Sequence, residues 1–285
     1  MRIGRSAAGV ASLGALRLCC DSTPLSQALT PVVLIKLMPR GSHVTPSVDP
    51  PSAEFSYESI ELDALAQAHN YYRWILESFR PHLGRHVVEV GAGVGTFSEL
   101  LVRESGAEAF SLFEPAQNNF PKLRARFAHD PRVSVHHSYF EDGALPSRSA
   151  DSIVLVNVLE HIEGDRAFMA TASRALRPGG ALLIFVPALP ALFGSLDSAF
   201  GHYRRYTKRV LDARLREAGF RDVHLRYVNI AGILPWFITG KLLRRRTIDP
   251  AAVRFYDRMV IPWLFALEGQ FEPPLGQNIL AVAKT

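Results

Sequence analysis

The feature that most constrains this chain is an apolar stretch that ends in a carboxylate and three alternating glycines. Residues 87–95 read Val-Val-Glu-Val-Gly-Ala-Gly-Val-Gly. Glycine has no Cβ atom, so such a turn can take backbone conformations closed to other residues and let a ligand lie against its amides. Apolar positions then recur along one face of residues 96–102. The pattern predicts a strand, a nucleotide-binding turn and a helix, in that order.

The glycine spacing differs from that of a dinucleotide-binding turn. Such turns usually read G-x-G-x-x-G, and the third glycine lets the helix pack on the strand beside the pyrophosphate. Here the residues read E-x-G-x-G-x-G, and Thr96 stands where the third glycine is required. This pattern resembles motif I of the class I S-adenosylmethionine-dependent methyltransferases, in which the loop holds the amino-acid end of the cofactor. The resemblance implies S-adenosyl-L-methionine as the cofactor.

Further motifs follow in the order expected of that family. The apolar run 109–113 ends in Glu114-Pro115, about twenty residues beyond the loop, where an acid can bond ribose hydroxyls. A third strand, 133–136, leads to Phe140, Glu141 and Asp142, where the family usually places an acid or amide beside the adenine. The choice between these two acids stays open. The cofactor-binding residues implied by the resemblance are Glu89, Gly91, Ala92, Gly93, Gly95, Glu114, Pro115, Phe140, Glu141 and Asn157.

Two nearly continuous apolar runs indicate strands that are covered on both faces. The first, 151–158, contains Asn157 near its end, on the methionine side of the implied cofactor site. A helix with one apolar stripe follows and stops at the Arg-Pro-Gly-Gly turn of residues 177–180. The second run, 181–186, resumes as a fifth strand, and this turn before a strand also resembles the family.

The resemblance spans roughly residues 85–187 and implies an α/β fold. Its sheet is Rossmann-like and doubly wound, with seven strands, an antiparallel last strand and helices on both faces. Residues 223–228 and 278–283 are the expected sixth and seventh strands. The segment between them, 230–276, is predicted to be a helical insertion that forms a cap or a dimer surface. The oligomeric state is expected to be a monomer or a homodimer. An interfacial helix on anionic lipid is the alternative, because aromatic residues lie beside an arginine run.

Substrate contacts are expected from the loop 187–207, because ligands of such sheets bind beyond the carboxyl ends of the strands. The predicted catalytic bases are His161, His202 and Tyr203, and a structural role is an equal alternative for His161. An anionic or hydroxylated acceptor would suit the neighbouring cations and phenols. The predicted substrate-binding residues are Tyr72, Arg204, Arg205 and Tyr206.

The predicted function is methyl transfer to oxygen or nitrogen of a small-molecule or lipid-like acceptor. The alternatives are an NAD(P)-dependent oxidoreductase and a non-catalytic membrane-surface or interaction module. No spacing of histidine, cysteine and carboxylate residues suggests a metal. The formal charge of +5 has no nucleic-acid motif beside it.

The 285 residues divide into two parts of different composition. Residues 1–51 are expected to be a disordered leader or a mis-assigned or tag-derived start, and residues 52–285 are expected to form one methyltransferase domain. Both cysteines, Cys19 and Cys20, are adjacent and lie in the first part, so no disulfide is expected. This usage fits a cytoplasmic protein, with peripheral membrane contact through 230–270 as an option.

Overall fold

The computed structural model describes residues 56–57 and 65–285, so the predicted leader lies outside the described residues. Seven strands are present: β1 His86–Val90, β2 Ala109–Phe113, β3 Val133–His136, β4 Ala150–Val156, β5 Leu176–Pro187, β6 Asp222–Val228 and β7 Asn278–Lys284. The α-helices of this part of the chain are α1 His69–Phe79, α2 Thr96–Glu104, α3 Phe120–Arg126, α4 Asp165–Ala175, α5 Ser195–Ala199, α6 Lys208–Glu217, α7 Ile233–Trp236, α8 Pro250–Met259 and α9 Ile261–Glu268.

The strands form one sheet in the order β3-β2-β1-β4-β5-β7-β6. Strand β7 runs antiparallel to both of its neighbours, β5 and β6, and the other pairs are parallel. The order reverses between β1 and β4, which opens a crevice at the carboxyl ends of these strands. The predicted Rossmann-like sheet is confirmed.

Successive side chains of a strand point to opposite faces of the sheet. Both faces of this sheet are buried. Val87 and Val154 pack into one apolar cluster with the helices of one layer, and their neighbours Val88 and Ile153 pack into a second cluster on the other face. This explains the apolar runs of β4 and β5, since parallel strands covered on both sides need no polar alternation.

Strand β5 begins five residues earlier than the sequence predicts. The pairing with β4 shifts from Ala150–Leu176 to Ser152–Ala181, so the Arg-Pro-Gly-Gly segment forms an irregularity inside the strand. Gly179 has a φ of +78°, a conformation that glycine adopts without a Cβ clash. The breaker residues therefore make a local turn, but β-pairing resumes on both sides of it.

The insertion 230–276 is helical, and a buried carboxylate connects it to the first helix. Asp257 of α8 accepts hydrogen bonds from the backbone N–H groups of Asn70 and Tyr71 at 3.2 and 2.8 Å. These N–H groups belong to the first turn of α1 and have no partner inside that helix. Asp257 therefore fixes α8 against the start of α1.

Candidate active site

The glycine loop after β1 has the backbone that the sequence predicts. Gly91, Gly93 and Gly95 have φ values of +73°, +58° and +87°, all in the left-handed region. A Cβ atom on Gly91 would also lie 2.6 Å from Cγ2 of Val158, closer than real side chains approach. The alternating glycines are thus required by the turn itself and by the close approach of the segment after β4.

Glu114, at the end of β2, is hydrogen-bonded to this loop. Its Oε2 atom accepts from the backbone N–H of Gly93 at 2.7 Å, and Oε1 accepts from that of Ala116 at 2.9 Å. Burial raises the pKa of the Glu114 carboxyl, and these backbone hydrogen bonds oppose the rise. A carboxylate on the loop amide disfavours a pyrophosphate, because two anions would share one donor.

Glu89 places a second carboxylate beneath the loop. Its side chain is buried, and its Oε2 atom has no hydrogen-bond partner among the described residues. Burial raises its pKa to about 7, although a hydrogen bond with Ser98 opposes the shift. A buried carboxylate oxygen without a donor fits a cationic ligand group, since such an oxygen is costly to leave unpaired.

The predicted adenine contacts differ in their surroundings. Phe140 packs edge-on against Phe113 with ring centroids 5.1 Å apart, so its ring belongs to the core. Asp142 pairs with Arg174 at 2.8 Å, whereas Glu141 is exposed at the same edge of the sheet. Of the two acids that the sequence left open, Glu141 stays the better candidate because Asp142 already has a cationic partner.

A cavity of about 650 Å³ opens at the carboxyl ends of β4 and β5, and the insertion covers it. Its polar lining includes Asn157, Glu160, His202, Arg205 and Asn229. The opposite wall is largely apolar and comes from α1 and the insertion, with Tyr71, Leu234, Trp236, Phe255, Tyr256 and Ile261. A mostly apolar cavity with a few convergent polar groups is the usual form of a small-molecule site.

Two lining residues have left-handed backbones although they are not glycines. Asn157 has a φ of +52° and Asn229 one of +63°. Asparagine tolerates this region better than most residues, but such conformations still cluster at functional sites. Both residues end strands, β4 and β6, so the strained positions lie where the sheet meets the cavity.

The chemical centre of the cavity is His202, between two buried carboxylates. Its Nδ1 atom lies 2.9 Å from Oδ1 of Asp197, and its Nε2 atom lies 4.0 Å from Oε1 of Glu160. Asp197 accepts from Nδ1, which leaves Nε2 as the proton-accepting nitrogen of a neutral ring. The imidazole is therefore oriented with its basic nitrogen towards Glu160.

Asp197 connects three parts of the fold. Its Oδ1 atom also accepts from Nε of Arg205 at 2.7 Å, and Oδ2 accepts from Nε1 of Trp236 at 3.2 Å. Burial of Asp197 opposes ionisation, but the hydrogen bonds of His202 and Arg205 outweigh it, and the pKa of Asp197 is lowered. The carboxylate thus stays charged and holds the loop 187–207 to helix α7 of the insertion.

His161 lies next to this centre, with its ring centroid 4.8 Å from that of His202. Possible metal-ligand atoms of Glu160, His161 and His202 lie within 4.8 Å of one another. The sequence predicts no metal, because the adjacent Glu160 and His161 have no third ligand at metal-binding spacing. The fold brings His202 to the Glu-His pair from another loop.

The structure gives several predicted substrate residues other partners. The Tyr206 hydroxyl donates to Oδ2 of Asp165 at 2.7 Å, and Arg204 forms an ion pair with the same carboxylate at 2.9 Å. The Tyr203 side chain is 55% exposed, and none of these three lines the cavity. The contacts of Arg204 and Tyr206 with Asp165 favour a structural role for both, and the predicted base Tyr203 lies outside the cavity, whereas Arg205 lies on the cavity wall.

Tyr72 is also corrected. Its ring is buried against Phe97 with centroids 5.9 Å apart, while the neighbouring Tyr71 lines the cavity. A helical stripe alone does not show which of these two aromatic residues meets the cavity. Glu160 is not among the residues that the sequence predicts for the site, although it is a carboxylate four positions after the mainly apolar strand β4.

Comparisons with known proteins agree with this geometry. A family model described as a methyltransferase domain matches residues 64–225. A probable S-adenosylmethionine-dependent methyltransferase of Mycolicibacterium smegmatis is 30% identical over 48% of this chain and 52% of its own length. Demethylmenaquinone methyltransferase of Tropheryma whipplei is 24% identical over 63% of this chain and 60% of its own.

A solved structure shares the fold. Phosphoethanolamine N-methyltransferase 2 of Haemonchus contortus, in complex with S-adenosyl-L-methionine, has a TM-score of 0.52 and 18% identity, covering 79% of this chain and 57% of that chain. The chain spans about half the length of the curated relatives it matches. Its described helices include none with the length and apolar character needed to cross a membrane.

The family model covers more than half of the chain, and its range includes the glycine loop, Glu89 and Glu114. The family match also confirms S-adenosyl-L-methionine as the predicted cofactor, in place of the nicotinamide coenzyme of the alternative hypothesis. The chain belongs to the class I S-adenosylmethionine-dependent methyltransferases.

Proposed function

We propose that this protein transfers a methyl group to an oxygen or nitrogen atom of a small-molecule or lipid-like acceptor bound in the cavity beside His202. The observation that carries the proposal is the Asp197–His202 pair, which fixes the orientation of an imidazole in the wall of a largely apolar cavity. When bound, S-adenosylmethionine supplies a methyl group on a sulfonium, and the leaving group departs as a neutral thioether. No acid is needed on the leaving side.

The proposed roles of the cofactor residues follow from their positions. Glu89 receives the positively charged amino-acid end, and Glu114 receives the ribose hydroxyls beside Gly93. Glu141 and Pro115 border the adenine, and Asn157 lies between this end of the site and the acceptor cavity. Ala92 and the glycines supply backbone amides.

The acceptor loses one proton in the proposed reaction. The Nε2 atom of His202 takes the proton from the acceptor O–H or N–H, and the freed electron pair forms the new bond to the methyl carbon. Asp197 holds the Nδ1 proton and stabilises the imidazolium that results, and the Glu160 carboxyl lies 4.0 Å from Nε2. A positioned base typically contributes a factor of about 10²–10⁴, whereas alignment of two bound reactants supplies roughly 7–11 kcal/mol.

The acceptor is proposed to have a polar head and an apolar body. Polar groups lie on the sheet side of the cavity, and the insertion side combines leucine, isoleucine and aromatic side chains with the polar Thr239, Arg245 and Asp249. Such a cavity would orient the reacting atom towards His202 and exclude water from it.

Methyl-labelled S-adenosylmethionine tests this function when it is incubated with the protein and separate aqueous and organic-solvent extracts of cells. We expect a labelled product that retains an apolar portion. The matched variant His202→Gln should bind the cofactor unchanged in calorimetry and form product at least 100-fold more slowly. No labelled product from either extract, or an unchanged rate in the variant, would contradict the proposal.

A further inference from the structure

The insertion 230–276 carries most of the exposed apolar surface of the described chain. Of the 16 large apolar side chains that are exposed, 13 lie between Ile230 and Leu275. Trp263 is 78% exposed and Leu242 is 68% exposed. Exposed apolar side chains concentrated in one segment indicate an interaction surface, whereas single exposed apolar residues scattered over a molecule are ordinary.

Helix α9 shows that this surface lacks a cover within the described chain. Its buried positions, Ile261 and Leu264, pack inward, but Trp263, Phe265 and Leu267 on its other sides are exposed and apolar as well. A helix that is apolar all round is normally buried. The outer side of α9 therefore requires an apolar environment that the described residues do not provide.

The charge of the insertion indicates what kind of surface would cover its exposed apolar side chains. Residues 233–267 contain six cationic residues and two acidic ones, and one of these acids, Asp257, is buried against α1. All six cationic residues are exposed: Lys241, Arg244, Arg245, Arg246, Arg254 and Arg258. Cations beside exposed aromatic and aliphatic side chains match the headgroups and the acyl boundary of an anionic bilayer.

We propose that the insertion seats the protein on the surface of an anionic lipid bilayer. We call the contact the lipid face and define it by Leu242, Met259, Trp263 and Leu267 together with Arg246 and Arg258. The α-helices of the insertion are 4 to 10 residues long, so they would lie in the interface and not span it. Trp263 suits this position because its ring has an apolar body and a polar N–H.

The insertion that forms the lipid face also forms one side of the cavity. Leu234 and Phe255 line the cavity and are 64% and 66% exposed, so the rim on the insertion side is apolar. A lipid-like molecule could pass from the bilayer to His202 without crossing water. Binding to the bilayer itself does not depend on methyl transfer, so it is tested separately from the proposed function.

Flotation with vesicles tests the proposal. The full chain is mixed with vesicles of phosphatidylcholine alone and with vesicles that also contain phosphatidylglycerol. We expect binding to the anionic vesicles, weakened by added salt, and little binding to the neutral ones. Arg246→Gln/Arg258→Gln should weaken it by about 30-fold, at roughly 1 kcal/mol per charge. Met259→Ser/Trp263→Ser should weaken it at least tenfold.

The matched control is Arg124→Gln/Arg209→Gln, which removes the same charge from exposed positions outside the insertion. It should float almost as well as the unchanged protein, and circular dichroism should show all variants folded. Equal losses in control and test variants, or no flotation with either vesicle, would overturn the proposal. So would a dimer in solution that Met259→Ser/Trp263→Ser dissociates while vesicles remain unbound.

Discussion

The Nδ1 atom of His202 lies 2.9 Å from Oδ1 of Asp197, and both side chains are almost wholly buried. His202 follows Asp197 by five positions in the chain. Asp197 lies in helix α5, and the chain after this helix brings the His202 ring to the carboxylate. Such a pair fixes one tautomer of the imidazole, in which Nε2 is the basic nitrogen. The proposed chemistry therefore depends on Asp197 as a positioning residue.

We predict that Asp197→Asn lowers kcat by about 10²-fold or more, the contribution of a positioned base. The amide can donate to Nδ1 and favour the wrong tautomer, and it cannot stabilise the imidazolium. Steady-state kinetics over a pH series with methyl-labelled S-adenosylmethionine and the acceptor identified from its labelled product, together with calorimetry for the cofactor, measure this effect. A variant with unchanged kcat and pH profile would show that Asp197 serves structure alone.

Trp236→Phe tests whether the insertion positions the same carboxylate. The change removes the Nε1 donor that lies 3.2 Å from Oδ2 of Asp197 but keeps an aromatic ring near Arg205. We expect a loss of about 1 kcal/mol in stability, the value of one hydrogen bond, and a several-fold lower kcat. Thermal unfolding measures the change in stability, and steady-state kinetics measure the change in kcat. An unchanged kcat would argue against coupling between α7 and His202.

Glu89 makes the stability of the ligand-free protein depend on pH. Its pKa of about 7 in the fold lies above the ordinary value of 4.5, so the folded protein binds more protons between these values. The free energy of unfolding must then fall as pH rises from about 4.5 to 7.

Glu89→Gln removes this ionisation. It should stabilise the ligand-free protein by about 3 kcal/mol near pH 8 and much less near pH 4, as denaturant unfolding would show. The same variant should bind S-adenosylmethionine more weakly, because a charge opposite the cofactor is lost. Glu163→Gln, at an exposed acid, is the control and should be neutral. Equal stability of Glu89→Gln and the unchanged protein at about pH 8 would contradict the predicted ionisation.

Gly93→Val should abolish cofactor binding, with at least a 100-fold rise in Kd by calorimetry. Gly93 has a φ of +58°, and a β-branched residue there would distort the turn whose amide bonds Glu114. Gly106→Val is the matched control, since Gly106 has a φ of +78° with open space around it. If both variants bind the cofactor equally well, the loop is not the binding turn.

Glu268 supports the insertion from within. Its two carboxylate oxygens accept from the backbone N–H groups of Asn229 and Ile230 at 2.9 and 3.0 Å. Glu268→Ala leaves these donors unpaired and should destabilise the fold by roughly 2–3 kcal/mol, measured by denaturant unfolding. Glu268→Gln keeps one acceptor and should lose about half as much. Equal stability of all three proteins would contradict this role.

The sequence predicts the sheet well because its signals are local. The glycine turn, the acid after β2 and the apolar runs of β4 and β5 each depend on residues close in the chain. The boundary of β5 was missed because pairing with Ala150 extends the strand past a glycine turn, and only the partner strand determines this.

The acceptor side could be predicted only in part. The polar residues of the loop 202–206 predict that His202 and Arg205 belong to the site. The neighbouring Arg204 and Tyr206 contact Asp165 instead. Which side chain enters the cavity is decided by long-range packing. The contribution of Trp236 to Asp197 joins residues 39 apart, and no pattern in the sequence indicates that contact.

The most direct test is calorimetric titration of the purified protein with S-adenosylmethionine and, in parallel, with NADH. The two carboxylates at the glycine loop predict saturable binding of the sulfonium nucleoside, which weakens in Glu89→Gln, and no heat from the dinucleotide. Binding of NADH together with no response to S-adenosylmethionine would contradict the account.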